Sequence, residues 1–196
     1  MKIADILKNN RVTVSFEVFP PKEWSKIENT KAVIAEMAKS KPAFMSVTYG
    51  AAGTHTGFTT EIAQAIKENG ITPLSHLTCL TSTKDKIDDV LNEWKATGIE
   101  NILALRGDIP DGFEFPSDQH FHHASELVSE IKSNGDFCVG AACYPEIHPE
   151  SANRVEDINH LKEKVDCGVD FLTTQMFFDN DVFLRFKENC LIKGIN

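Results

Sequence analysis

The sequence predicts an α/β chain of the (β/α)8 TIM barrel class with about the first six βα units present, and three observations carry that expectation. Six apolar, β-rich runs alternate with polar segments of helical spacing, the pattern of βα units and a parallel sheet. Each run closes on a polar or reactive group (Glu17, Thr48, His76, Arg106 with Asp108, Tyr144, Gln175), and a barrel brings the C-terminal ends of its strands to one mouth. No run is followed by GxGxxG or by a GxxxxGK phosphate loop, the fingerprints of the competing doubly wound sheet.

The first run, VTVSFEVF from Val12, has a period of two and ends at two prolines that stop further pairing. That period turns Val14, Phe16 and Val18 towards helices and Ser15 and Glu17 towards the barrel interior. A bare carboxylate is costly to bury, so Glu17 asks for a chemical reason. The second and third runs, FMSVTYG from Phe44 and LSHLTCL from Leu74, carry Thr48, Tyr49 and His76. NILALRGD from Asn101 ends in Arg106, Gly107 and Asp108, FCVGAACYPE from Phe137 in Tyr144, and DFLTTQMFF from Asp170 contains Gln175. Between the runs, helical segments end in Gly70, Gly98, Gly135, Gly168 and Gly194, each a predicted left-handed C-cap. Strand starts advance by about 30 residues, so eight units need about 250 residues. The spacing therefore predicts that residues 1–196 form a single catalytic barrel domain, truncated before its seventh strand, with two unpaired sheet edges.

Bulk properties narrow the function class. A net charge of −9 argues against nucleic acid or an anionic membrane as the main partner. MKIADILKNN lacks the apolar core of a signal peptide, and no segment approaches the roughly 20 apolar residues of a membrane span. Five scattered cysteines without a CxxC pair fit free thiols in a reducing cytoplasm. Asp118, His120, His122 and His123 lack clear ligand spacing in their Gly/Pro-bounded loop, so no metal site is expected and the loop is read as covering the mouth.

The motifs SFEVFPPK, SVTYGAAGT, HLTC, ALRGDIP, ACYPEIHPE, LKEKVDCG and TQMFFDN, in this order over nearly the whole chain, resemble the methylenetetrahydrofolate reductase family. The resemblance implies a flavin-dependent barrel, with FAD as cofactor, that reduces 5,10-methylenetetrahydrofolate to 5-methyltetrahydrofolate. Electrons come from NAD(P)H, in the cytoplasm, for one-carbon metabolism and methionine synthesis. It also implies homo-oligomeric assembly. Glu17 matches the family's general acid, whose task needs a carboxyl kept protonated near neutral pH, as an apolar interior favours. Asp108 matches the aspartate beside flavin and pterin, where its charge favours a cationic iminium. At about 4 Å and an effective dielectric near 20, that is worth on the order of 4 kcal/mol.

Gln175 and Thr48 match ligand-contacting residues, so the implied substrate set is Glu17, Thr48, Asp108 and Gln175. For the cofactor the resemblance implies Thr48, Tyr49, Ala51, His76, Arg106, Gly107, Asp108, Ala124, Tyr144, His148, Ser151, Asp157, His160 and Lys164. Asp157, His160 and Lys164 recur at three and four residues and share one helix face. Glu163 departs from the basic residue some members carry there. With no separate nucleotide-binding unit, NAD(P)H and folate take turns at one flavin face, which implies ping-pong kinetics. Two alternatives stay open at the level of sequence. One is a catalytically inactive barrel fragment; the other is a cofactor-free barrel lyase or methyltransferase.

Overall fold

All six apolar runs form strands in the computed structural model, which describes residues 1–9, 12–49, 56–109 and 117–196. They are β1 (Ser15–Val18), β2 (Phe44–Val47), β3 (Thr72–Thr78), β4 (Asn101–Leu105), β5 (Cys138–Cys143) and β6 (Phe171–Thr174). The helices are α1 (Ile3–Leu7), α2 (Ile27–Ala38), α3 (Thr56–Glu68), α4 (Lys84–Thr97), α5 (Ala124–Asn134), α6 (Arg154–Asp166) and α7 (Asn180–Ile192). The strands pair in parallel in the order β1-β2-β3-β4-β5-β6. A doubly wound sheet would reverse that order at a switch point. Unbroken sequential order instead makes the wall of a (β/α)8 barrel, open between β1 and β6 among the described residues.

The period of two sorts each strand into two faces. Val18, Met45, Val47, Leu77, Ile102 and Val139 face outward and pack on Ile34, Ile62, Ile66, Leu91, Trp94 and Ile131 of the helices. The side chain of Trp94 is fully buried, and its indole N–H donates to Thr60 Oγ1 at 3.0 Å, joining α4 to α3. Leu74, Leu103 and Cys138 form an inner cluster with Ile3 of α1, bordered by Phe44, Leu105 and Phe171. The Phe171 ring lies against Gly140, its partner in register, where a Cβ would collide with it.

The N-terminal helix thus lies against the inner wall. Asn101, which is 1% exposed, fixes it there: its Oδ1 accepts from the Ile3 amide at 2.8 Å. Its Nδ2 donates to the carbonyls of Met1 (3.1 Å) and Pro73 (3.2 Å).

Two local expectations need correction. The first strand begins at Ser15, not Val12; Val12 is 97% and Val14 59% exposed, because β1 is an edge with no outer partner among the described residues. Four predicted C-caps (Gly70, Gly98, Gly168, Gly194) are left-handed, but Gly135 is extended at φ 164°. There the Phe137 amide bonds the Gly135 carbonyl at 2.9 Å and turns the chain straight into β5.

The five cysteines are free thiols, and Cys79, Cys138, Cys143 and Cys190 are buried while Cys167 is partly exposed. Burial pushes the Cys79 and Cys143 thiols up to about 12. Alkylation of the native protein is therefore expected to mark Cys167 first, as read by peptide mass spectrometry. Equal early labelling of Cys79 and Cys143 would mean that the core opens readily.

Candidate active site

Parallel pairing fixes which side chains meet at the C-terminal strand ends. Glu17 of β1 is in register with Ser46 of β2, and both face inward. The Ser46 hydroxyl donates to Glu17 Oε2 at 3.1 Å. From β3, His76 brings Nε2 to 3.5 Å from the same oxygen. Burial pushes the His76 imidazole down, and the Glu17 charge opposes that shift. The expected apolar enclosure of Glu17 is not realised. Its side chain is 48% exposed, β1 having no outer partner among the described residues, and its close contacts are a hydroxyl and an imidazole.

Thr48 is held by its backbone: its amide donates to the Val18 carbonyl (3.2 Å) and its carbonyl accepts from Thr59 Oγ1 (3.3 Å). Tyr49, one residue on, packs against the outer core, where burial pushes its phenol up. It lies on the helix side of the wall. Ala51 lies outside the described residues.

After β4 the chain turns at Gly107, whose φ of +87° suits glycine, and a Cβ there would press on Thr78 at 3.2 Å. The turn presents Arg106 and the exposed Asp108. Arg106 forms a two-pronged pair with Glu150, Nη2 to Oε1 being 2.7 Å. This pair holds the Glu150 carboxyl below its ordinary range and raises the guanidinium further.

After β5, the Tyr144 and His148 rings meet edge to face with centroids 4.6 Å apart. Burial, reinforced by the Asp108 charge, pushes the Tyr144 phenol up. His148 Nδ1 accepts from the Glu150 amide at 3.2 Å, so His148, Glu150 and Arg106 form one connected group. The Ser151 hydroxyl donates to Asp157 at 3.0 Å. Lys164 donates to the Ala142 carbonyl at 2.6 Å, and its burial pulls the ammonium down. Asp157 and Lys164 are partly buried, whereas His160 on the same helix is exposed. Ala124 opens α5, whose N-cap His123 supplies no side-chain hydrogen bond. The exposed Gln175 follows β6, and its backbone N–H donates to the Cys143 carbonyl at 2.8 Å.

Two partners had no place in the sequence reading. Ser46 was legible in principle, since it sits two residues before Thr48 on the same face of β2. Glu150 was not, because a loop carries no periodicity to aim it at Arg106. Of the DQHFHH histidines, His120 meets Ser117 Oγ through Nδ1 at 3.2 Å, and its backbone forms a β-bridge with Thr83, between β3 and α4.

A sequentially ordered parallel βα wall of six strands, with acid–base side chains at its C-terminal strand ends, defines a partial (β/α)8 barrel. The chain belongs to the methylenetetrahydrofolate reductase family, whose profile matches residues 2–196. It is 38% identical over 187 residues to the 5,10-methylenetetrahydrofolate reductase of Pectobacterium carotovorum, covering 95% of this chain and 61% of that protein. Against the same-named protein of Escherichia coli K12 the figures are 38%, 95% and 62%. Against a probable methylenetetrahydrofolate reductase (NADH) of rice, Oryza sativa subsp. japonica, they are 37%, 99% and 35%. The chain thus spans about three-fifths of the bacterial relatives. Among solved structures it resembles 2,3-dimethylmalate lyase, a PEP mutase/isocitrate lyase superfamily member, with a TM-score of 0.65 over 96% of this chain and 68% of that one. At 9% identity that likeness concerns the fold alone.

Proposed function

We propose that this chain carries the site for reduction of 5,10-methylenetetrahydrofolate to 5-methyltetrahydrofolate, with FAD as cofactor and NAD(P)H as electron source. The observation that carries the reading is Glu17, an inward-facing carboxyl at the end of β1 with Ser46 and His76 on one of its oxygens. Glu17 is the proton donor to a ring nitrogen of the folate, and Ser46 sets its orientation. Asp108, exposed at the mouth, favours the cationic form of the opened ring. Thr48 and Gln175 orient the ligand.

The donor set suits FAD. Arg106 already receives a carboxylate in two-pronged fashion, which is how it would receive the oxygens of a phosphate. Tyr144, His148, the α5 N-terminus at Ala124, and the group Ser151, Asp157, His160 and Lys164 complete the set, with His76 and Gly107 beside it. Bound there, FAD would supply electron transfer between NAD(P)H and folate in a ping-pong order. Within a cell, this assigns the chain to cytoplasmic one-carbon metabolism and methionine synthesis.

Two measurements test the reading. Initial rates with both substrates varied are expected to give parallel double-reciprocal lines; intersecting lines contradict a shared site. Second, Glu150 competes with cofactor phosphate for Arg106. Replacing it (Glu150→Gln) is expected to tighten FAD binding by roughly three- to fivefold, since an exposed pair is worth up to about 1 kcal/mol. Fluorescence titration reads this, and weaker binding would mean that Glu150 instead aims Arg106 at the cofactor.

A further inference from the structure

Glu17 and His76 come from strands that are not neighbours, since β2 lies between them. The His76 side chain is 9% exposed, and its Nε2 is buried without a hydrogen bond while standing 3.5 Å from Glu17 Oε2. A buried polar nitrogen left unpaired is costly, so a nearby acceptor just beyond bonding range marks an unfinished contact. Ser46 already donates to that same oxygen. Both contacts fall on Oε2, and Oε1 is uncommitted in the hydrogen bonds of the described residues.

We propose that His76 is the positioning residue for Glu17: neutral, with its proton on Nε2, it joins Ser46 in gripping Oε2 and so presents the Oε1 proton to the ligand. This rests on the reading of Glu17 as proton donor. In the transfer, the Oε1–H bond breaks and an N–H bond forms on the ligand. The carboxylate left behind is held at Oε2 by the Ser46 hydroxyl and the His76 N–H. A solvent proton then restores Oε1–H, which the half-exposed position of Glu17 permits.

From the strands around it, β1 presents Glu17 to the ring, β2 presents Ser46, and β4 presents Leu103 in register. Glu17 is the charged group whose field reaches His76 among the described residues. Whenever Glu17 is ionised its charge favours the protonated ring, so removing that charge must lower the pH at which His76 titrates.

The test is a 15N NMR titration of the histidine rings, with and without Glu17→Gln. That variant sits on a half-exposed edge strand, and the readout needs neither cofactor nor turnover. The His76 midpoint is expected to fall in the variant, because the opposing Glu17 charge is gone. At high pH the ring is expected as the Nε2–H tautomer. An unchanged midpoint, or the Nδ1–H tautomer, overturns the pairing. A His76 that responds to Glu17 in a protein that binds no FAD supports the pairing while overturning the cofactor reading, so the two fail separately.

Discussion

Glu17→Gln is expected to slow folate reduction by about 10²- to 10⁴-fold, the range lost when a positioned acid is removed. Flavin reduction by NADH is expected to stay within about twofold, because that step needs no proton from this carboxyl. The amide keeps the size of the side chain and can still accept from Ser46, so the wall of β1 and β2 is preserved. Anaerobic stopped-flow separates the two half-reactions. Equal loss of both would make Glu17 a structural residue.

Asn101→Ala is expected to lower stability by about 3 kcal/mol, several times the effect of an ordinary surface change. The amide serves three backbone groups at once: the Ile3 N–H and the carbonyls of Met1 and Pro73. With Asn101 1% exposed, alanine leaves those groups without their side-chain partner and loosens Ile3 from Leu74, Leu103 and Cys138. Urea unfolding measures the loss, and hydrogen exchange at the Ile3 amide should accelerate with it. A change below about 0.5 kcal/mol would mean that α1 is held by its apolar contacts alone.

The six strands were legible because each is an apolar run with β-rich composition, bounded by glycine, proline or charge. Their sequential order followed from the residues at their ends, which make sense when gathered at one mouth. The inward direction of Glu17 followed from the period of two. Its surroundings did not: alternation says which way a side chain points, but not that an edge strand leaves it half exposed. The docking of α1 was likewise hidden, since IADIL is too short for a periodic signal and its anchor, Asn101, lies far along the chain. Arg106 was expected as a cofactor contact, and the loop carboxylate that engages it could be found only in three dimensions. Local pattern therefore specified the wall and its mouth, while pairings distant in sequence specified how each charge is held.

In the proposed reaction one site passes electrons from NAD(P)H to folate with FAD bound at the strand ends. The most direct measurement is an anaerobic spectrum of the chain mixed with FAD, first with NADH and then with 5,10-methylenetetrahydrofolate. The flavin absorbance is expected to bleach on the first addition and to return on the second. Failure to bind flavin, or a bleached spectrum that the folate does not restore, would contradict the account.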